Sequence, residues 1–560
     1  MKRREFISEG IAAGLLAGVA PLPLAAAGLG FRFEDVTGPA GIRFEHNSGA
    51  YGGKLLPETL GSGCAFLDYD ADGWQDILLV NSMDWPGHKR QRTTLKLYHN
   101  NRNGTFSDVT KAAGLDVEMY GMGVAVGDYN NDGFPDIFIT CVGQSRLFRN
   151  TGKGLFVDVT KTSGLLGRQG LSTSAVWLDY DRDGWLDLFV CNYVRWTAEH
   201  DVFCSLDGKN KSYCTPEAYR GDTCWLYHNR GDGTFEDVTA ISGVFDSSSK
   251  SLGVAVFDYD QDGWPDLLVA NDTQPNKLYR NLHNGKFKDV AVEAGLAFSG
   301  DGKARAGMGV DVADFENSGK PGIVITNFDN EMIGLYRYAA RGYDDVAVQQ
   351  GLGAASRNTL GFGCVFFDAD LDGRLDIAVA NGHIDETVRN IRGNVGYAQP
   401  AQLFLNVGGK FRDVAADVGG GFDQPKVGRG LAVGDFDRDG DQDLLMTTNN
   451  GGAYLYRNEV VDGRRSIRFR LVGTKSNRDA IGATVRVFVG GQQQVRTVRS
   501  GSSYLSQSEL PVTFGLGREE HIERVVIDWP SGNSEEYPKL ETGKTFEIIE
   551  SKGITEDLQR

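Results

Sequence analysis

Gly61-Ser-Gly-Cys-Ala-Phe-Leu67, Asp68-Tyr-Asp-Ala-Asp-Gly-Trp-Gln-Asp76, Ile77-Leu-Leu-Val80: a glycine-rich apolar run, an acidic loop and a second apolar run follow one another without a break. Short apolar runs bounded by turn residues read as strands. Leu97-Tyr-His-Asn100 and Phe106-Ser-Asp-Val-Thr110 supply two more, so one unit holds four short strands, the content of one propeller blade. The unit then repeats. Its acidic loops start at Asp68, Asp128, Asp179, Asp258, Asp314, Asp368 and Asp435, at intervals of 51 to 79 residues. The Phe-x-Asp-Val-Thr/Ala strand also occurs seven times, from Phe33-Glu-Asp-Val-Thr37 to Phe411-Arg-Asp-Val-Ala415. The first copy has no unit before it, and the last Leu455-Tyr-Arg-Asn458 has no such strand after it. The N-terminal strand therefore predicts closure of the seventh blade, which removes a raw sheet edge. The fold class expected is all-β: a seven-bladed β-propeller over 31–458, a small β-rich domain over 465–550 and a tail over 551–560.

Five loops carry the full Asp-x-Asp-x-Asp-Gly-x-x-Asp spacing: Asp68/Asp70/Asp72/Asp76, Asp179/Asp181/Asp183/Asp187, Asp258/Asp260/Asp262/Asp266, Asp368/Asp370/Asp372/Asp376 and Asp435/Asp437/Asp439/Asp443. A sixth, Asp128/Asn130/Asp132/Asp136, uses one amide oxygen. Alternating acids around a tight turn gather the six to eight oxygens that a hard cation such as Ca²⁺ takes. The twelfth-position glutamate of the helix-flanked calcium hand is missing. The fifth loop, Asp314-Phe-Glu316-Asn-Ser318-Gly-Lys-Pro-Gly322, has lost its last acid and is expected to be weak or empty. About six structural Ca²⁺ ions would offset 12 of the 17 net negative charges.

These repeats resemble FG-GAP (VCBS-type) repeats, the unit of the integrin α-chain propeller, and the resemblance implies calcium on the six matching loops. Beyond Asn458 the sequence changes character. Asn477-Arg-Asp-Ala-Ile-Gly-Ala483, Arg499-Ser-Gly-Ser-Ser-Tyr-Leu-Ser-Gln507, Phe514-Gly-Leu-Gly517 and Val526-Ile-Asp-Trp-Pro-Ser-Gly532 resemble the ASPIC/UnbV domain. The whole chain is similar to the cartilage acidic protein family, which implies extracellular binding or adhesion and names no reaction.

The net charge of −17 argues against nucleic-acid binding, which needs a basic footprint. Residues 1–27 combine Arg3-Arg4, a Gly/Ala/Leu-rich stretch and Ala25-Ala26-Ala27, and read as a twin-arginine-type signal. No later segment suits a membrane span, so the expected location is periplasmic or secreted, as a monomer. In an oxidising compartment Cys204–Cys214 is the first-choice disulfide, with Cys191–Cys224 the other candidate. Cys64 and Cys364 hold one register in the repeat, as core residues.

Segments before each innermost strand and after each second strand share the propeller face opposite the acidic loops. That gathers His46, Lys54, Glu58, Asp272, His383, Asp385 and Glu386 as a candidate ligand face. The function expected is an exported calcium-binding propeller that binds a glycan or an extracellular protein. The alternative is a carbohydrate-active enzyme, a polysaccharide lyase or hydrolase, with His46, Glu58 or His383 in acid–base roles.

Overall fold

Each acidic loop joins two antiparallel strands. In blade 1, Asp68–Asp76 turns the innermost strand Cys64–Leu67 into Asp76–Leu79, and Lys96–Asn100 and Phe106–Asp108 complete the sheet. This computed structural model describes residues 28–205 and 208–557; the signal-type segment 1–27 lies outside them. The same strand order recurs in seven sheets, two of them joined by the short pair Gly170–Gly143 and Leu171–Val142. Innermost strands such as Gly121–Gly127 and Gly361–Phe367 are buried along their whole length, which explains their continuous apolar and glycine composition. The outer Phe-x-Asp strands bury only the phenylalanine.

The ring closes as the repeat register predicts. Phe31–Asp35 pairs antiparallel with Ala453–Val460 as the outer strand of blade 7, with Phe33 opposite Asn458. The innermost strand of blade 7, Gly428–Gly434, packs against that of blade 1. The protein is an all-β, seven-bladed propeller.

Two further four-stranded sheets form the C-terminal module. One orders Val512–Gly515, Ser466–Val472, Lys544–Ile549 and Gly553–Asp557; the other orders Gln492–Thr497, Thr484–Val489, Arg524–Asp528 and Ser534–Pro538. One expectation is corrected here: 551–560 is not simply a tail, because Gly553–Asp557 is an edge strand on Lys544–Ile549. Its charged composition hides it from pattern reading, and edge strands are where charge is tolerated. The module's core runs on into blade 3, with Phe514, Val485 and Trp529 in one cluster with Trp177 and Leu188.

Candidate metal loops and a plugged channel

All seven acidic loops adopt one conformation. The fourth residue of each (Ala71, Asn131, Arg182, Gln261, Asn317, Leu371 and Arg438) has a positive φ of 52° to 62°. Non-glycine residues adopt this region at an energetic cost, so the surrounding contacts must hold it. The first aspartate supplies part of that hold: Asp68 Oδ1 accepts from Asp72 N at 2.9 Å and Oδ2 from Gly73 N at 3.0 Å. Asp314 makes the same bonds in the fifth loop, to Ser318 N and Gly319 N. There, however, Glu316 lies toward Arg337 and Gln350, and Gly322 stands where the last acid would be.

The last loop acid belongs to a latch between blades. Asp76 Oδ1 accepts from Asn100 N at 2.8 Å, and Asn100 Nδ2 donates to Phe436 O of the preceding blade at 2.8 Å. The carbonyl reached is that of the second residue of the neighbour's loop, and the contact recurs as Asn150 to Tyr69, Asn229 to Tyr129, Asn281 to Tyr180, Asn406 to Phe315 and Asn458 to Ala369. Blade 5 lacks both parts, with Gly322 for the acid and Tyr338 for the asparagine. The seam between blades 4 and 5 is instead bridged by Gln261, which donates to Gly319 O and accepts from Lys320.

Buried loop carboxylate oxygens without a hydrogen-bond partner occur at Asp70, Asp136, Asp181, Asp260, Asp435 and Asp437. Three-acid groups with oxygens within 4.8 Å of one another form at Asp68/Asp70/Asp72, Asp179/Asp181/Asp183 and Asp258/Asp260/Asp262. Burial pushes Asp76 and Asp136 up to about 9, and Asp187, Asp266 and Asp368 to about 8. Carboxylates so placed ionise readily only beside a cation, and the donors supplied by the loops themselves are all hard oxygens. The residues fit such an ion. In blades 1 and 3 an imidazole joins the acids: His99 Nδ1 is 3.5 Å from Asp70 and 3.3 Å from Asp76, and His228 Nδ1 is 3.5 Å from Asp181 and 3.1 Å from Asp187. Reading the loops alone missed these two, although the Leu97-Tyr-His-Asn100 motif placed one beside the last acid.

The blade 2 loop keeps the shared hydrogen-bond pattern. Asn130 and Asp132 make the contacts of their counterparts, since Asp370 Oδ1 accepts from Asp372 N, and Asp72, Asp183 and Asp262 Oδ1 accept from the amides of Trp74, Trp185 and Trp264. Asn130 Oδ1 accepts from Asp132 N at 3.0 Å, and Asp132 Oδ1 accepts from Phe134 N at 3.1 Å while its side chain is exposed. Asn130 is a neutral amide, so it adds no charge where Asp70 and Asp181 each bring a buried, partnerless carboxylate oxygen. One buried, partnerless oxygen per loop is the pattern of blades 1 to 4, at Asp70, Asp136, Asp181 and Asp260, so this loop differs from the four-acid set in the amide at Asn130.

The C-terminal module sits on this acidic face. Arg464, Arg468 and Arg470 pair with Asp370, Asp435 and Asp68 of three different loops. Asp479 accepts from Asp128 N at 2.6 Å, and Asn131 accepts from Arg478 N at 2.8 Å. From the module the segment 499–509 threads the central channel. Ser503 exchanges both main-chain bonds with Val310, Leu505 O accepts from Val124 N at 3.0 Å, and Gln507 bonds Cys64 and Phe66. Ser506 and Ser503 hydroxyls accept from the Cys64 and Cys364 amides. At the tip Tyr504 is fully buried and donates to Leu60 O. Close approach requires glycine along the channel: a Cβ on Gly63 would lie 1.9 Å from Leu505 O.

On the opposite face Lys54 pairs with Glu386 and lies 4.7 Å over the Tyr213 ring. Glu58 accepts from Trp85 Nε1 at 3.0 Å and from Tyr213 at 3.1 Å, which joins it to the cysteine-bearing insertion; burial raises its carboxyl. Both His46 nitrogens are engaged, Nδ1 by Asn450 N and Nε2 by Ser82, and burial with Arg429 nearby lowers the ring to about 3. His383 Nδ1 accepts from Asp385 N, and burial lowers it also. Asp272 accepts from Tyr193 and is raised by burial to about 7. Arg429, fully buried, donates to the carbonyls of Thr59, Gly382, Gly428 and His383 and so ties blades 1, 6 and 7 together. His46, Glu58, Asp272 and His383 are thus occupied in holding the face, while Glu386 is exposed and Lys54 and Asp385 are half-buried.

Cys204 and Cys214 form a disulfide, with Cα atoms 5.2 Å apart. Cys191 and Cys224 do not: both are free and buried, and the Cys224 thiol contacts Ser251 Oγ at 3.2 Å.

The FG-GAP-like repeat family matches residues 68–139, 133–190, 201–269 and 258–325, and the ASPIC and UnbV family matches 473–555. The chain is thus an FG-GAP-repeat propeller that carries an ASPIC/UnbV domain. Among curated proteins it is related to cartilage acidic protein 1: 24% identical to the mouse protein over 509 residues and 25% to the human protein over 495, covering 87% and 84% of this chain. The matches span 64% and 60% of those longer relatives. Solved structures with a similar outline include an Agrocybe aegerita lectin (TM-score 0.37, 14% identity, 82% of this chain and 100% of that one) and the BP39L lectin of Burkholderia pseudomallei (TM-score 0.42, 8% identity, 71% and 96%). Likeness at that level carries no functional weight. Among the described residues no helix is long and apolar enough to cross a membrane.

Proposed function

We propose that this protein is an exported, calcium-stabilised binding or adhesion module for a glycan or an extracellular protein. The observation that carries the reading is the set of in-phase acidic loops, whose partnerless buried carboxylate oxygens sit beside the latches that tie blade to blade. Ca²⁺ would be held by Asp68/Asp70/Asp72/Asp76 and the corresponding residues of the other four-acid loops, and more weakly by Asp128/Asn130/Asp132/Asp136 in blade 2. It would supply charge neutralisation and rigidity, fixing the second-residue carbonyl that each neighbouring asparagine grips. The disulfide Cys204–Cys214 suits an oxidising location. Relatedness to cartilage acidic protein 1 supports an extracellular binding role. The His46, Glu58 and His383 groups hold the fold through satisfied hydrogen bonds, which favours binding over acid–base chemistry on that face.

The test is a glycan-array and pull-down screen with the purified calcium-loaded protein and the same protein in excess chelator. Selective retention that disappears with chelator is expected. Retention that is unaffected by chelator, or no selective retention at all, contradicts the proposal.

A further inference from the structure

A cleft of about 670 Å³ opens between the propeller and the C-terminal module on the acidic face, with blades 4 and 5 on its propeller side and the strand Gln492–Thr497 among its module walls. Among the described residues, it adjoins the one seam of the ring without an asparagine latch. Five cations line it. Arg499 is paired with Asp311 at 2.7 Å, and Arg486 with Asp528. Among the described residues the other three, Arg182, Lys320 and Arg496, have no carboxylate within ion-pair distance; each lies instead over an aromatic ring, Trp264, Tyr338 and Phe514, at 4.7, 5.2 and 5.2 Å. Stacking on a ring face leaves the hydrogen-bonding edge of a guanidinium free.

The neighbouring acids are already engaged. Asp258 and Asp314 cap their own loops, Asp262 faces His283 and Arg280, and Glu509 is paired with Arg468. Donors without an acceptor remain in the wall: Arg496 Nη2, Trp529 Nε1 and the Thr513 hydroxyl are buried and unpartnered, Trp529 and Thr513 being 2% and 4% exposed. The Ser502 hydroxyl is unpartnered there too, and Glu509 Oε1 is an unmatched carboxylate acceptor in the same wall. Buried donors call for acceptors, and clefts of this volume at domain junctions take small ligands.

We propose that this cleft binds a small carboxylate-bearing, oxygen-rich molecule of the size of a short acidic saccharide, with its acid group on Arg496 and Lys320. The site deepens the binding-module reading and rests on it. A planar guanidinium meets a carboxylate through two parallel hydrogen bonds, and the hydroxyls of such a ligand satisfy Thr513 and Glu509.

Titration calorimetry of the calcium-loaded full chain tests this with three probes: trigalacturonate, neutral maltotriose and inorganic phosphate. Trigalacturonate should bind, maltotriose should give no heat, and phosphate should bind at least tenfold more weakly. Arg496→Gln should weaken trigalacturonate at least tenfold. Arg182→Gln, on the propeller side of the cleft and outside the module, should weaken it severalfold while leaving the melting temperature in place, and Lys320→Gln should weaken it severalfold with at most a small loss of melting temperature from the Gln261 bridge. No heat with trigalacturonate at millimolar concentration, tighter binding of phosphate or maltotriose, or unchanged affinity in Arg496→Gln and Lys320→Gln overturns the assignment. If those variants keep wild-type retention in the array and pull-down screen, the cleft is wrong while the binding-module reading stands.

Discussion

Asn229 acts in three directions at once. Its amide donates to Asp187 Oδ1, its side-chain nitrogen donates to Tyr129 O and Leu186 O, and its side-chain oxygen accepts from Gly231 N. Asn229→Ala should therefore destabilise the calcium-loaded protein by about 1–3 kcal/mol in urea unfolding, since it leaves buried carbonyls unpaired. Tyr338→Ala, at the same register in the unlatched blade, should unlatch nothing and act only through lost packing. Glu550 is a second anchor: it accepts from the amides of Thr474, Lys475 and Ser476 and from Ser531. Burial alone would raise its carboxyl, but the Ser531 hydroxyl and those amides outweigh it and hold it at about 2 against an ordinary 4.5. A depressed folded value means the stabilisation is complete above about pH 4.5 and is lost as pH falls toward 2. Glu550→Gln should thus lower the melting temperature at pH 7, and the gap from wild type should shrink steadily below pH 4.5.

The strands and acidic loops were readable because they repeat: seven copies of one spacing fix the strand content, the loop face and the closing strand Phe31–Asp35. The degenerate blade could be read too, from Gly322 and the lysine beside it. Blade 2 follows the same spacing, with Asn130 in place of one acid and the shared loop bonds to the amides of Asp132 and Phe134. The channel-filling segment could not be read at all. Gly501-Ser-Ser-Tyr-Leu-Ser-Gln507 has neither strand nor helix periodicity, and its partners are main-chain groups far away in sequence, such as Val124 and Val310. The available signal was the glycine that alternates along the innermost strands, which serves close approach as well as tight turns. Gly63→Ala, forcing a Cβ against Leu505 O, should lower the melting temperature by several degrees and expose the module to limited proteolysis. An equivalent Gly104→Ala in an outer turn, where a Cβ meets nothing, should leave the plug protected and act only through its backbone conformation. The ligand-face residues were placed on one face by topology alone, but spacing could not tell that His46, Glu58 and His383 would be taken up by Asn450, Trp85 and Asp385.

At the scale of the molecule, three devices close one ring: the N-terminal strand in blade 7, the latches between blades and the plug through the axis. The loops underlie the second device and the docking of the module, because Arg464, Arg468 and Arg470 reach three of them. A cation that binds only the folded loops stabilises by its binding free energy at each site. Thermal unfolding of the purified protein in millimolar calcium and in excess chelator therefore tests the account most directly. A melting temperature lower by at least about 10 °C in chelator, restored by added calcium, is the result predicted. An identical melting temperature in both would contradict it.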